Sequence, residues 1–178
     1  MKTSVFVGAS VDGFIARRDG GLDWLPEVAE EHGYEALIAS VDTIVIGRKT
    51  FETVLGFGAW AYGDKRVVVL SSRPLDPSAA VALGGTVAQM GGEPADIVSS
   101  LVARGAQHAY VDGGITIQRF LRAGLIDRLV VTRIPVLIGE GIPLFGSLPR
   151  DVPLRHIATR SFPSGLVQSE YDVVASSQ

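Results

Sequence analysis

Residues 43–55 read TIVIGRKTFETVL, and how this stretch is read decides the fold. Ile44, Val45 and Ile46 form a continuous rather than alternating apolar run, the pattern of a strand covered on both faces. Gly47 breaks the run and permits a tight turn, after which Thr50 is placed to cap a helix over 50–56. A helix start carries free N–H groups and the positive end of the helix dipole, and Arg48 and Lys49 add formal charge at the same point. By local chemistry alone the turn is either a phosphate cradle or an ordinary strand-to-helix connection with solvated cations.

The same alternation extends outward in both directions. SVFVGAS (4–10), RVVVLSS (66–72), HAYVDGG (108–114) and RLVVT (128–132) are further β-branched runs. Helical spacing is expected over 26–40, 95–104 and 115–123. Strand and helix in turn predict an α/β sheet with parallel strands. The last quarter differs. A Gly/Pro-rich loop, GEGIPLFGSLPRDVP (139–153), leads into LRHIATRSF, a Pro-Ser-Gly turn and LVQSEYDVVA, which read as a β-hairpin with Val167, Tyr171 and Val173 on one face. The expected sheet is therefore mixed, with an antiparallel edge.

Composition narrows the function classes. At 178 residues the chain is expected to form a single domain over 1–178 with a substantial core. Its 16 Lys+Arg against 19 Asp+Glu give a formal net charge of -3, which offers no broad basic face for nucleic acid or an anionic membrane. There is no cysteine, and His32, His108 and His156 lack metal-ligand spacing, so neither a disulfide nor a metal is expected. Asp12 and Gly13 interrupt the first apolar run too early for a signal segment or a membrane span, and a cytoplasmic protein is expected. Asp12 itself is expected to shape the turn at Asp12-Gly13.

A second glycine turn lies in YVDGGITIQRFLRAGL (110–125), where Gly113 and Gly114 stand between a strand and a helix. Glycines there would let a ligand approach the backbone, or would simply make the turn tight. Two such turns in one α/β sheet are more telling together, because ligands of these sheets sit beyond the carboxyl ends of the strands. An extended ligand with phosphates, such as a dinucleotide, fits that pattern. Ser71, Ser72 and Arg73, ending the run VVLSSRPL (68–75), add hydroxyls and a guanidinium suited to a phosphate monoester, which favours NADPH over NADH.

SVDGFIA (10–16), GRKTFE (47–52), VLSSRP (69–74) and DGGITIQRFL (112–121), in this order and at these separations, resemble dihydrofolate reductase. IDRLVVTRIPVLIGEGIPLF (126–145) resembles more closely the C-terminal reductase domain of bifunctional riboflavin-biosynthesis proteins, which shares that fold. The resemblance implies a three-layer αβα architecture with a mixed, mostly parallel eight-stranded sheet and a C-terminal antiparallel hairpin. It implies NADPH as cofactor: Gly8 and Ile15 at the nicotinamide; Gly47, Arg48, Lys49 and Thr50 with Ser71, Ser72 and Arg73 on the pyrophosphate and 2′-phosphate side; and Gly113, Gly114, Ile115, Thr116 and Ile117 along the pyrophosphate.

On the substrate side the resemblance implies Trp24, Phe51 and Thr132 as pocket residues. Dihydrofolate reductases place an acidic residue five positions after that tryptophan, where this chain has Ala29; Asp23 and Glu30 are the nearby candidates for delivering a proton, with Glu27 between them. The riboflavin-pathway substrate motif is replaced by FETVLGFGAWAYGDK (51–65), leaving Lys65, Arg133 and Arg150 as possible cations for a sugar phosphate. The expectation is an NADPH-dependent reductase of a small heterocyclic substrate, with 5-amino-6-(5-phosphoribosylamino)uracil reduction as the nearest activity. Dihydrofolate reduction and a catalytically silent NADPH-binding module are the alternatives. The apolar segment 133–145 resembles a homodimer contact of the riboflavin reductases, so a homodimer is expected.

Overall fold

A computed structural model describes residues 1–26 and 30–174. In chain order it contains β1 (Lys2–Ser10), β2 (Phe14–Ala16), α1 (Tyr34–Ser40), β3 (Thr43–Gly47), α2 (Arg48–Leu55) and β4 (Arg66–Leu70). There follow α3 (Ser78–Ala82), β5 (Thr86–Met90), α4 (Pro94–Ala103), β6 (His108–Asp112) and α5 (Gly114–Arg122). β7 (Arg128–Ile134), β8 (Ile142–Pro143), β9 (Leu154–Ser161) and β10 (Val167–Val173) complete it. Eight strands form one sheet in the order β5-β4-β3-β6-β1-β7-β10-β9, while β2 and β8 pair separately. The strands from β5 to β7 run parallel, and β10 runs antiparallel between β7 and β9, joined to β9 by the Pro-Ser-Gly turn. This is a dihydrofolate reductase-like α/β sheet with helices on both faces.

The continuous apolar runs explain the layering. Successive side chains of a strand point to opposite faces, so an uninterrupted run serves two cores. Val5, Val7, Ala9, Val45, Val68 and Val111 join Ile97 and Leu101 of α4 and Ile117 and Phe120 of α5 on one face. Ile44, Ile46, Val67, Val69 and Tyr110 meet Phe51 and Val54 of α2 on the other. Phe120 is fully enclosed, and truncating it to alanine is expected to cost about 3–5 kcal/mol.

Two sequence expectations need correction. Among the described residues the helix expected over 26–40 is observed only as α1, because Gly33 sits at φ 92 in the left-handed region directly before Tyr34 and stops that helix from extending back. Glu27 and Ala29, on which the acidic-residue comparison turned, lie outside the described residues. Thr50 does not cap α2: Gly47 is the N-cap, the helix begins at Arg48, and Thr50 lies in its first turn. The five-residue helix α3 and the five-residue strand β5, each short and only partly buried, were missed in the sequence.

Candidate functional site

Because β1, β3, β4 and β6 are parallel, their carboxyl ends share one edge of the sheet, and α2 and α5 both start there. The two glycine turns interlock. A Cβ on Gly113 would collide with Thr50 Oγ1, and one on Gly47 would lie 3.1 Å from Thr116 Oγ1. Gly113 also has φ 89, a conformation that side chains disfavour. A Cβ on Gly114 would lie 2.9 Å from Ile15 Cδ1. Each turn thus presents bare backbone to the edge. The first intrahelical bond of α5 runs from Ile117 N to Gly113 O, which leaves the N–H groups of Gly114, Ile115 and Thr116 without helical partners. Ile117 and Phe51 contribute side chains to the core, where Phe51 packs edge-on against Trp60; Phe51 therefore offers no face to a ligand, contrary to its expected place in the pocket.

A cavity of about 450 Å³ opens beside the first turn, walled by Arg48, Ser71, Ser72, Arg73, Glu93 and Arg119 among others. Arg48 builds the wall. Its Nε donates to Ser71 Oγ at 3.0 Å, and Nη2 donates to the carbonyls of Arg73 (2.7 Å) and Pro74 (2.6 Å). Gln89 pins the same loop, donating to Ser71 O and Arg73 O and accepting from Leu75 N. The exposed Arg73 lines the cavity, and Lys49 is exposed on α2 outside the wall. Arg119 was missed in the sequence, where a cation in the last turn of a helix reads as ordinary dipole compensation. Its Nη2 donates to Gly92 O at 2.8 Å, which aims the guanidinium at the cavity that Gly91 and Gly92 help to line.

The face of β1 opposite α4 and α5 carries a second arrangement. Gly8 on β1 stands level with Thr132 on β7, and Gln168 on β10 with Thr132 and with Arg160 on β9. A Cβ on Gly8 would meet Leu25 Cδ2 at 3.6 Å and Ile134 Cδ1 at 3.7 Å, both ordinary contacts, so the space over Gly8 is that of one methyl group walled by apolar side chains. The indole N–H of Trp24, next to Leu25, is buried with no acceptor among the described residues. Arg133 donates to Ser10 O at the end of β1, whereas the Lys65 and Arg150 side chains make no hydrogen bond or ion pair among the described residues.

Of the carboxylates, Asp23 is paired at two points with Arg17, at 2.6 and 2.8 Å, and this pairing holds it below the usual carboxylate range. That is the opposite of what a proton donor requires. Glu30 turns to the hairpin and accepts from Ser164 N at 2.9 Å. Asp12 accepts from Gly139 N at 2.8 Å and so ties the turn between β1 and β2 to the loop after β7. The residue missed in the sequence is Asp112. It ends β6 level with Ile46, and burial of its carboxyl pushes its pKa up, against the opposing effect of a 2.7 Å hydrogen bond from Gly113 N. Tyr110 lies two residues before it on the same face, and Tyr34, pushed up to about 12 by burial, packs edge-on against Tyr110. The signal was its position immediately before the glycine pair at a strand end.

Among the described residues no group of His, Asp or Glu converges as a metal site, and no helix is long and apolar enough to cross a membrane.

Residues 2–168 match the profile of the RibD C-terminal domain. The uncharacterized protein YwjB of Bacillus subtilis is 32% identical over 168 residues, covering 90% of this chain and 92% of that protein. The riboflavin biosynthesis protein RibD of Corynebacterium ammoniagenes is 28% identical over 145 residues; the match covers 75% of this chain but 42% of that protein. A crystal structure from Shewanella sp. PV-4, provisionally assigned to riboflavin biosynthesis, superposes with a TM-score of 0.90 at 38% identity, covering 98% of this chain and all of the other. Dihydrofolate reductase from Enterococcus faecalis, at 18% identity, shares the fold with a TM-score of 0.63, covering 97% of this chain and 94% of that one.

Proposed function

The chain belongs to the RibD C-terminal domain family, and from that premise we propose that it is an NADPH-dependent reductase of a small heterocyclic substrate. The observation that carries the reading is the pair of interlocked glycine turns beside a cation-lined cavity. Two helix N-termini with no room for a Cβ between them suit a pyrophosphate lying against backbone N–H groups. Arg73, Arg119, Ser71 and Ser72 would hold the 2′-phosphate, with Arg48 shaping their loop; Gly47, Lys49, Thr50 and the Gly113–Ile117 turn would hold the pyrophosphate side. Gly8 and Ile15 would border the nicotinamide. Bound NADPH supplies the hydride.

The protein's own contribution would be orientation and a proton. Asp112, whose pKa is raised by burial, fits a donor better than Asp23 or Glu30. Trp24 and Thr132 would border the heterocycle. The specific activity that best fits the family is reduction of 5-amino-6-(5-phosphoribosylamino)uracil. The replacement of the expected carboxylate by Ala29 leaves dihydrofolate reduction as a weaker alternative and favours, as a second reading, a dinucleotide-binding module without turnover. Incubating the protein with NADPH and a panel of pterins, aminopyrimidines and quinones separates the readings. Substrate-dependent NADPH oxidation supports the reductase, while tight NADPH binding with no oxidation across the panel supports the module.

A homodimer is part of this proposal. Leu137 and Phe145 in the segment 133–145 are exposed, as are Leu154 and Ile157 of the edge strand β9, and a second copy would cover them. Sedimentation at micromolar concentration tests it, and a monomer mass counts against it.

A further inference from the structure

A third glycine turn opens on the same edge of the sheet. β5 ends at Met90, level with Leu70 at the end of β4, and Ser71 N donates to Met90 O at 3.0 Å, so the two strands release their loops side by side. Ser71, Ser72 and Arg73 leave from β4, Gly91, Gly92 and Glu93 leave from β5, and both sets wall the cavity of about 450 Å³. Glu93 is the N-cap of α4, a position from which a polar side chain ordinarily bonds the free N–H groups of the helix, yet the Glu93 side chain makes no such bond. Its Oε1 lies instead 4.0 Å from Arg119 Nη2 on the cavity wall, and its carboxylate accepts no hydrogen bond among the described residues. The side chain is 82% exposed, so the fold does not depend on it.

A carboxylate is the wrong group for a phosphate and the right one for a diol. It accepts hydrogen bonds from ribose hydroxyls, whereas beside a phosphate monoester it sets like charge against like charge. Arg73 and Arg119 have the opposite preference. Doubly wound dinucleotide sites use one or the other, an acid for the bare ribose or an arginine for the 2′-phosphate. This cavity holds both. We propose that Glu93 is a specificity-determining residue that accepts the adenosine ribose hydroxyls of an unphosphorylated dinucleotide and opposes a 2′-phosphate, so that the cavity admits NADH beside NADPH and Glu93 sets the ratio. Arg119, anchored through Gly92 O at 2.8 Å, is shared: it pairs with Glu93 over a bare ribose and with the phosphate when one is present. The inference rests on the reading of this cavity as the adenosine end of a dinucleotide site.

The test is calorimetric titration of NADPH, NADH, adenosine 2′,5′-diphosphate and 5′-AMP into wild type, Glu93→Gln and Glu93→Lys, with denaturant unfolding to show that the variants stay folded. Wild type is expected to bind both dinucleotides. Glu93→Gln should tighten NADPH and the diphosphate about fivefold, the effect of removing one like charge at close range near water. It should weaken NADH and 5′-AMP about threefold, as a charge-assisted hydrogen bond becomes a neutral one. Glu93→Lys should move each ligand further in the same direction. NADH binding too weak to measure beside NADPH, an unchanged NADPH to NADH ratio in both variants, or a shift of both dinucleotides alike overturns the proposal. If wild type binds neither dinucleotide while the two adenosine probes still part in Glu93→Gln, the reductase reading fails and the assignment of Glu93 stands; if none of the four binds, both fail.

Discussion

The hydroxyl of Thr50, in the first turn of α2, occupies the space that a side chain on Gly113 would need. Thr116 of α5 approaches Gly47 in the same manner, so each turn is closed by a threonine from the opposite helix. Neither turn can be altered alone, which gives the cradle its rigidity before any ligand arrives.

Gly113→Ala adds both a steric conflict with Thr50 and a backbone conformation near φ 89 that alanine resists. Strain of this kind costs about 1–3 kcal/mol. Denaturant unfolding should show that loss together with weakened dinucleotide binding. Adding Thr50→Ala should recover only the steric part, and full recovery would mean that the backbone angle is unimportant.

The three arginines around the cavity should separate in their effects. Arg73→Ala removes an exposed guanidinium from the cavity wall and Arg119→Ala one that Gly92 O and Glu93 hold at its edge, so in each NADPH binding should fall about 10-fold with NADH binding little changed. Arg48→Ala instead releases the loop carbonyls of Arg73 and Pro74 and should weaken both nucleotides. Calorimetric titration of the two cofactors into each variant gives the comparison, and a selective NADPH loss in Arg48→Ala would reassign it as a direct phosphate contact.

Asp112 leaves a signature in the pH dependence of stability. Its folded pKa lies above the ordinary 3.8, so the folded state holds the proton more tightly than the unfolded chain. The cost of ionising it is absent below pH 3.8, grows as pH rises through the interval between the two values, and stays constant above the folded one. Asp112→Asn should therefore be relatively more stable at neutral pH than in acid, compared with wild type in melting curves across that range. On the proposed mechanism the same variant loses turnover while keeping NADPH affinity.

Asp23→Asn should do little. Its carboxylate is exposed and paired with Arg17 at the surface, and pairs of this kind contribute about 0–1 kcal/mol. Turnover within about twofold of wild type is expected. A collapse of activity would restore Asp23 as the proton source.

The parts of the fold that were legible in the sequence are those where one residue type had one physical meaning. The run at Ile44–Ile46 could only be a strand between two cores, and Pro-Ser-Gly could only reverse a hairpin. The glycine turns were legible as turns, but their interlocking was not, since it depends on two segments some 60 positions apart meeting in space. Arg48 looked like a phosphate ligand because charge is visible in sequence and carbonyl partners are not. Asp112 was hidden for the converse reason: a carboxyl next to Gly-Gly reads as a turn former until burial is known. The row from Gly8 to Arg160 requires strand order and register, neither of which is written in any single stretch.

The position of β1 also constrains how the molecule assembles. This strand precedes the others of the sheet in the chain yet lies between β6 and β7, and Thr3 bonds to Asp127 across a separation of 124 residues. The β3-β4-β5 half, built from neighbours in sequence, can close early, while the opening strand must wait for most of the chain to emerge. Slow folding, with an apolar strand left unpaired in the meantime, is the consequence of placing β1 at the centre of a sheet whose partners for it come later in the chain.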